Sequence, residues 1–451
     1  MVDVLTIETP SLGDRSYLAH DGEVAVVVDP QRDIDRFLEA ADAAGVRITH
    51  VLETHLHNDY VSGGLALAER TGATYVVPAA AEVEFARAPA KDGDRFATGR
   101  LEITALATPG HTPHHMAYAV GEQGGPIVAV FTGGSMLFGA VGRTDLVSEE
   151  LTDELTRAQY RSVRRLAAEL PDEAAVLPTH GFGSFCSATP TSGDSSTIAD
   201  QREANLALTI EDEDAFVERL LAGLGAYPRY YAQMGPANRR GAPPAPAARP
   251  RPLDAAALRE RIDAGEWVVD LRRRRAFARH HIAGTISVEL GPSFATFLGW
   301  TRPWETPLTL IGDSSDEVAA AQLELSRIGI DELAGAATGT TDELAAGKTS
   351  SYPVVTFEQL GPVLGKEGVV VLDVRRPDEW DQAHLAAAVH IPFWELEERI
   401  GEVPPGEVWV HCASGFRASI SASILDRAGR QVVHVDDDWQ RALTLDLPLA
   451  T

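Results

Sequence analysis

In the first half of the chain, short apolar runs alternate with turn residues. AVVVDP, ATYVVP, LEITALATP, PIVAVFTGG and AAVLPTH are rich in β-branched residues and close on Pro, Gly, Asp or His. That pattern predicts strands that end in turns, with helical stretches such as residues 149–169 between them. The first thirty residues (VDVLTIETP, then EVAVVVDP) alternate apolar and polar positions and lack a basic segment followed by an apolar one. They are expected to form strands and not a signal peptide, which places the protein in the cytoplasm. No apolar run reaches the length of about 18 residues that a membrane span needs.

A proline-rich stretch, GPANRRGAPPAPAARPRP (residues 235–252), divides the chain roughly in half and is expected to be an extended, semi-rigid connector. Beyond it the sequence repeats itself. VVDLRRRRAFARHHIAGTISV (268–288) aligns without gaps on VLDVRRPDEWDQAHLAAAVHI (371–391), matching Asp270 with Asp373, Arg272 with Arg375, Phe277 with Trp380 and His281 with His384. Two related α/β domains with parallel strands are expected. The anticipated boundaries are 1–235 for the first domain, 236–252 for the connector, 253–348 for the first repeat and 352–451 for the second.

At 451 residues the chain is too long for one ordinary core. Its formal charge of −27 repels phosphate backbones and anionic lipid surfaces, so nucleic acid and membrane partners are not expected. Homo-oligomers remain open. Two cysteines, Cys186 and Cys412, exclude a disulfide framework.

Residues 53–64, ETHLHNDYVSGG, follow an apolar strand and place His55, His57 and Asp59 on one loop, a spacing suited to a divalent transition metal. ATPGHTPHH adds His111 on a Pro-Gly turn, and LPTHGFGSFCS adds His180 after another apolar run. Cys186 in the latter segment is expected to pack rather than react. Arg143 and Asp145 of GRTDL are expected to pair locally.

THLHND, TPGHT, FTGGSMLFGAVGRTDL and the late His180 resemble the metallo-β-lactamase superfold, especially its glyoxalase-II-like and persulfide-dioxygenase-like branch. The resemblance implies an αβ/βα sandwich over residues 1–235. It implies a first metal held by His55, His57 and His111, and a second by Asp59, Tyr60, Gly134 and His180. Tyr60 and Gly134 stand where that family has a histidine and an aspartate, so a second ion is not expected to assemble. Persulfide dioxygenases of this fold hold one iron through positions equivalent to His55, His111 and Gly134. Here His57 completes a three-histidine face for one ion, Fe(II) or alternatively Zn, with Asp59 and His180 as less favoured ligands.

In VWVHCASGFRAS, Cys412 ends an apolar strand just ahead of an alanine-rich helix. The loop amides, the helix N-terminus and Arg417 favour a reactive thiolate. With its DVR, EW and AHL elements, residues 352–451 resemble the rhodanese sulfurtransferase family. That resemblance implies a persulfide on Cys412, with Ala413, Ser414, Gly415 and Phe416 as the cradle for sulfur. Related phosphatases have one more residue between cysteine and arginine. The first repeat places Gly312 and Glu317 at the cysteine and arginine positions and is expected to be non-catalytic.

The combined expectation is a sulfur-metabolism fusion that resembles persulfide dioxygenase and rhodanese fusions and acts on thiol persulfides, thiosulfate, sulfite and thiols. The alternatives are a thioester hydrolase joined to a rhodanese, and a sulfur carrier without metal chemistry.

Overall fold

Strand Val24–Val28 reads Val-Ala-Val-Val-Val and is buried on both faces, so it must lie between two apolar layers. Val26 and Val28 face a core shared with Ile103, Tyr118 and Phe131 of a second sheet. Ala25 and Val27 face helix Asp35–Ala44 through Phe37 and Ala41. Each fully buried valine contributes about 1.5–3 kcal/mol. The first sheet orders Asp3–Thr9, Asp14–His20, Val24–Val28, Arg47–Leu52, Thr74–Pro78 and Ala88–Ala90 side by side. The second runs from Arg95–Thr98 through Leu101–Ala107, Met116–Glu122 and Ile127–Gly133 to Ala175–Pro178. Helix Thr152–Glu169 covers its outer face through Tyr160, Val163 and Leu166. The layers are therefore helix, sheet, sheet, helix, as expected for an αβ/βα sandwich. The site loops leave the strand ends of both sheets.

The computed structural model describes residues 2–189, 191 and 193–450. The chain divides into two units, Met1–Ala245 with Ser326–Gly329, and Pro246–Leu325 with Ile330–Thr451. Both repeats lie in the second unit. Among the described residues, no helix is long and apolar enough to cross a membrane.

The proline-rich segment departs from the extended connector expected over residues 236–252. Helix Tyr231–Arg240 runs through its start, with Pro236 inside. The helix persists because the buried Asn238 side chain donates to the carbonyls of His57 and Tyr60 at 2.8 Å each and accepts from the Ser62 N–H. Those tertiary bonds outweigh the amide lost at Pro236. Gly241, at φ +78, ends the helix.

In the second unit the repeats share one topology. The first sheet orders Ile286–Ser287, Trp267–Asp270, Leu308–Gly312 and Gly335–Thr338, all parallel. The second orders Ala388–His390, Val369–Asp373, Glu407–His411, Val432–Val435 and Val354–Val355, also parallel. The side chains repeat as well. Arg272 pairs with Asp270 and Arg375 with Asp373, both at 2.6 Å. His281 stacks on Phe277 and His384 on Trp380, with ring centroids 3.9 and 3.6 Å apart.

The two ion pairs differ in burial. The Arg375 side chain is 2% exposed and lies 3.7 Å above the Trp439 ring, whereas that of Arg272 is 18% exposed. Arg375→Met should therefore strand the Asp373 carboxylate and cost about 3–5 kcal/mol, and Arg272→Met should cost clearly less. Denaturant midpoints of the two variants check this, and equal losses would contradict it.

Candidate functional site

The loop after strand Arg47–Leu52 carries His55 and His57 with their rings 4.1 Å apart. Hydrogen bonds at the far side of each ring decide which nitrogen faces the interior. His55 Nδ1 lies 2.8 Å from Thr54 Oγ1, and that hydroxyl donates to Asp29 at 2.7 Å. The hydroxyl therefore accepts from His55 Nδ1–H, and Nε2 keeps an inward lone pair. His111 Nδ1–H donates to the Arg143 carbonyl at 2.7 Å, and its buried Nε2 has no hydrogen-bond partner. His180 Nδ1 lies 2.9 Å from Asp14 and 3.0 Å from Asp59. Its Nε2 is 3.3 Å from His55 Nε2. His57 Nε2 faces Glu53 at 3.2 Å, Asp29 at 3.3 Å and the Tyr60 hydroxyl at 3.0 Å, which leaves its buried Nδ1 unbonded.

Among the described residues, ligand atoms of His55, His57 and His180 lie within 4.8 Å of one another, and so do those of His111, His180 and Cys186. His55, His57 and His111 do not form such a group by themselves. His111 meets the pair through His180, and its ring centroid is 4.9 Å from that of His55. Asp59 turns one oxygen to His180 and Ser184, and its Oδ1 is buried without a hydrogen bond.

Tyr60 is fully buried, stacks on His57 at 4.2 Å and donates to the Asp29 carbonyl. Burial, with Asp29 and Glu53 beside it, raises its phenol well above the ordinary value, so it stays neutral. Gly134 leaves no open space, because a Cβ there would collide with the His111 ring, as would one at Gly142. The imidazole is seated between two glycines.

Charge follows the same geometry. Burial opposes a proton on His57, but Asp29 and Glu53 outweigh it and lift the group to about 9. Burial likewise opposes charge on His180, yet Asp59 and Asp14 hold it protonated well above its usual range. Burial and the neighbouring His180 push His111 down to about 3, and burial keeps His55 neutral. Burial also raises the Cys186 thiol well above its usual value, with Asp59 adding to the shift. Arg143 pairs with Asp145 at 2.7 Å, as the sequence suggested, and lies 4.5 Å above the Tyr227 ring.

The inward nitrogens of His55 and His111, with the buried His111 Nε2 free of any hydrogen bond, fit a nitrogen-rich transition-metal ion. Tyr60 and Gly134 add no ligand, because Tyr60 is turned to His57 and Asp29 and Gly134 offers no atom, while Asp14, Asp59 and His180 bring a further set of ligand atoms within 4.8 Å of one another. A cavity of about 770 Å³ opens beside this cluster, with Asn58, Thr112, His114, Tyr231 and Arg239 among its lining residues.

Sequence reasoning missed Asp14, Asp29, Glu53 and Asn238, which orient the histidines. Only Asp29 has a local backbone signature, a φ of +51, and that is invisible in the sequence.

In the second unit, strand Glu407–His411 runs into the Cys412 loop and then helix Phe416–Arg427. Gly415 takes φ +85 and aims its N–H at Cys412 Sγ, 3.2 Å away. Cys412 and Gly415 are buried and Ser414 is exposed. The Ala413 carbonyl accepts from the Trp439 N–H at 2.8 Å, and that of Gly415 from His434 Nε2 at 3.0 Å. Arg417 makes a two-pronged ion pair with Glu379 at 2.5 and 2.8 Å. Burial opposes its charge, but Glu379 and Cys412 together keep the guanidinium above its ordinary value.

The equivalent loop of the first repeat is closed from within. Glu317, at the arginine position, accepts from the Asp313 N–H at 2.6 Å. A Cβ at Gly312 would lie 2.9 Å from the same carboxylate oxygen. The chain's own anion fills the place where an external one would sit.

Residues 15–180 match the metallo-beta-lactamase superfamily and residues 356–442 the rhodanese-like domain. A hydroxyacylglutathione hydrolase of Methylococcus capsulatus is 35% identical over 190 residues, covering 40% of this chain and 67% of that protein. The mitochondrial persulfide dioxygenase ETHE1 of Homo sapiens is 27% identical over 205 residues, covering 45% of this chain and 72% of that protein. A solved metallo-beta-lactamase from Staphylococcus aureus subsp. aureus COL has a TM-score of 0.67 at 25% identity, covering 75% of this chain and 99% of its own. The chain spans about two thirds of the length of the hydrolase relatives. It belongs to the metallo-beta-lactamase superfamily through its N-terminal half and carries a rhodanese-like domain at its C-terminal end.

Proposed function

We propose that the chain is a sulfur-metabolism enzyme that transfers sulfane sulfur through Cys412 and oxidises a low-molecular-weight thiol persulfide at the imidazole cluster. The observation that carries the reading is the Cys412 loop. A buried thiol accepts the Gly415 N–H beside a paired, permanently charged Arg417, whereas the sister loop is filled by Glu317.

In the transfer step the Cys412 thiolate attacks the outer sulfur of thiosulfate. A new S–S bond forms, the old one breaks, and sulfite leaves with the bonding pair. The Gly415 N–H and the start of helix Phe416–Arg427 stabilise the persulfide anion. An acceptor thiolate or cyanide then attacks the terminal sulfur and restores Cys412. In the opposite direction the persulfide passes its sulfur to sulfite and gives thiosulfate.

In the N-terminal half, His55, His57 and His111 together with His180 would hold one divalent ion, which we assign as iron(II). When bound, iron would supply the redox chemistry by which a thiol persulfide, dioxygen and water give thiol, sulfite and two protons. Asp29 through Thr54 fixes the His55 ring, and the Arg143 carbonyl fixes that of His111. The cavity beside Asn58 and Arg239 receives the thiol. Sulfite made there is an acceptor for Cys412. Thioester hydrolysis, the activity named for the bacterial relatives, has less support, because Tyr60 and Gly134 remove ligands of a dinuclear centre.

Cys412→Ser should abolish thiosulfate-to-cyanide transfer in a still-folded chain, since a hydroxyl neither ionises near neutral pH nor retains sulfur. Residual transfer at the parental rate would overturn the assignment. His111→Ala should lower metal occupancy by elemental analysis and iron-dependent oxygen uptake with a persulfide, leaving thiosulfate transfer intact. Equal loss of both activities would contradict the division of labour. Gly134→Asp, although it restores the carboxylate of the dioxygenase pattern, should weaken Co(II) binding at least about tenfold in calorimetric titration, because the new side chain displaces His111. Tighter binding would show that the aspartate position is open.

A further inference from the structure

Asp436 follows strand Val432–Val435 and is 4% exposed. A Cβ on Gly415 would collide with its carboxylate, so the two residues are packed face to face. Among the described residues, the donors to that carboxylate are Arg274 Nε at 2.8 Å and Arg275 Nε at 2.5 Å, both from the first repeat. Arg275 also reaches the Asp436 carbonyl at 3.4 Å, and Arg274 Nη2 lies 3.5 Å from the Ser414 carbonyl. Glu289, again from the first repeat, fixes Arg274 at 3.0 Å. Phe297 of helix Phe294–Thr301 adds a ring contact to Phe416, 5.6 Å between centroids.

We propose that Arg274 and Arg275 are positioning residues for sulfur transfer: they clamp Asp436 against Gly415 and so hold the turn that aims the Gly415 N–H at Cys412. The first repeat, whose own loop is filled by Glu317, thereby sets the geometry of the working loop in the second. A carboxylate this deeply packed needs charged donors. Without them Asp436 would turn toward water or toward other donors. Gly415 at φ +85, having no side chain, would lose the wall that defines its conformation. The arginines also offset a negative charge that would otherwise stand beside the path of an anionic donor.

This inference rests on Cys412 being the sulfur acceptor, and the experiment separates the two claims. In the full chain, R274Q/R275Q should lower kcat for thiosulfate-to-cyanide transfer about tenfold or more. It should also slow alkylation of Cys412 by iodoacetamide at neutral pH, followed by peptide mass spectrometry. Iodoacetamide is uncharged, so an effect confined to anion binding would raise KM for thiosulfate and leave alkylation unchanged. That outcome would overturn the proposal. Arg273→Gln, which removes the same charge at an exposed neighbour, should leave kcat and alkylation near parental; equal effects would likewise refute the clamp. Should the double variant not fold, the near-isosteric Asp436→Asn breaks the same ion pairs, and parental kcat and alkylation in that variant would refute it. If Cys412→Ser retains transfer, the underlying reading fails. If that variant is inactive while R274Q/R275Q is parental, only the clamp fails.

Discussion

A loop that turns from a parallel strand into a helix leaves backbone N–H groups pointing to its centre, and these donors draw an acceptor there. The two repeats meet this need in opposite ways. In the first, the Glu317 carboxylate takes the Asp313 N–H and closes the loop. In the second, the Cys412 sulfur takes the Gly415 N–H, and the position of Glu317 is held by Arg417, whose charge is balanced by Glu379. Two exchanges at equivalent positions, Gly312 for Cys412 and Glu317 for Arg417, separate a structural loop from one that can carry sulfur. The surrounding ion pairs, Asp270–Arg272 and Asp373–Arg375, are common to both and explain why the frames remain alike.

The N-terminal cluster follows the same principle with imidazoles in place of amides. The neutral rings of His55 and His111 are each fixed by a hydrogen bond on the outer side, so their inner nitrogens are presented as lone pairs. Asp29 serves both His55, through Thr54, and His57 directly. Asp14 and Asp59 share His180. Buried carboxylates thus do the orienting while imidazoles are left to bind, and Tyr60 joins the orienting layer by bonding to His57.

Much of this was legible in the sequence. Strand-like runs gave the sandwich, and the gap-free repeat gave matched pairs that recur in both sheets. The histidine loops and Cys412 stood out because their spacing is local. What stayed hidden was set by distance along the chain. Asp14 meets His180 across the sheet, Asn238 meets His57 from a helix that Pro236 disguised, and Arg274 meets Asp436 from the other repeat. The role of Gly134 was only half visible. Its missing carboxylate could be read, but the His111 ring occupying that space could not.

The most direct test of Cys412 as the sulfur acceptor is to incubate the unmodified chain with thiosulfate labelled in its outer sulfur and map the label to peptides under non-reducing conditions. The account predicts label on the peptide that contains Cys412 and none on the peptide with Cys186, whose thiol burial and the neighbouring Asp59 hold protonated. Label on Cys186, or sulfur transfer with no labelled protein at all, would contradict it.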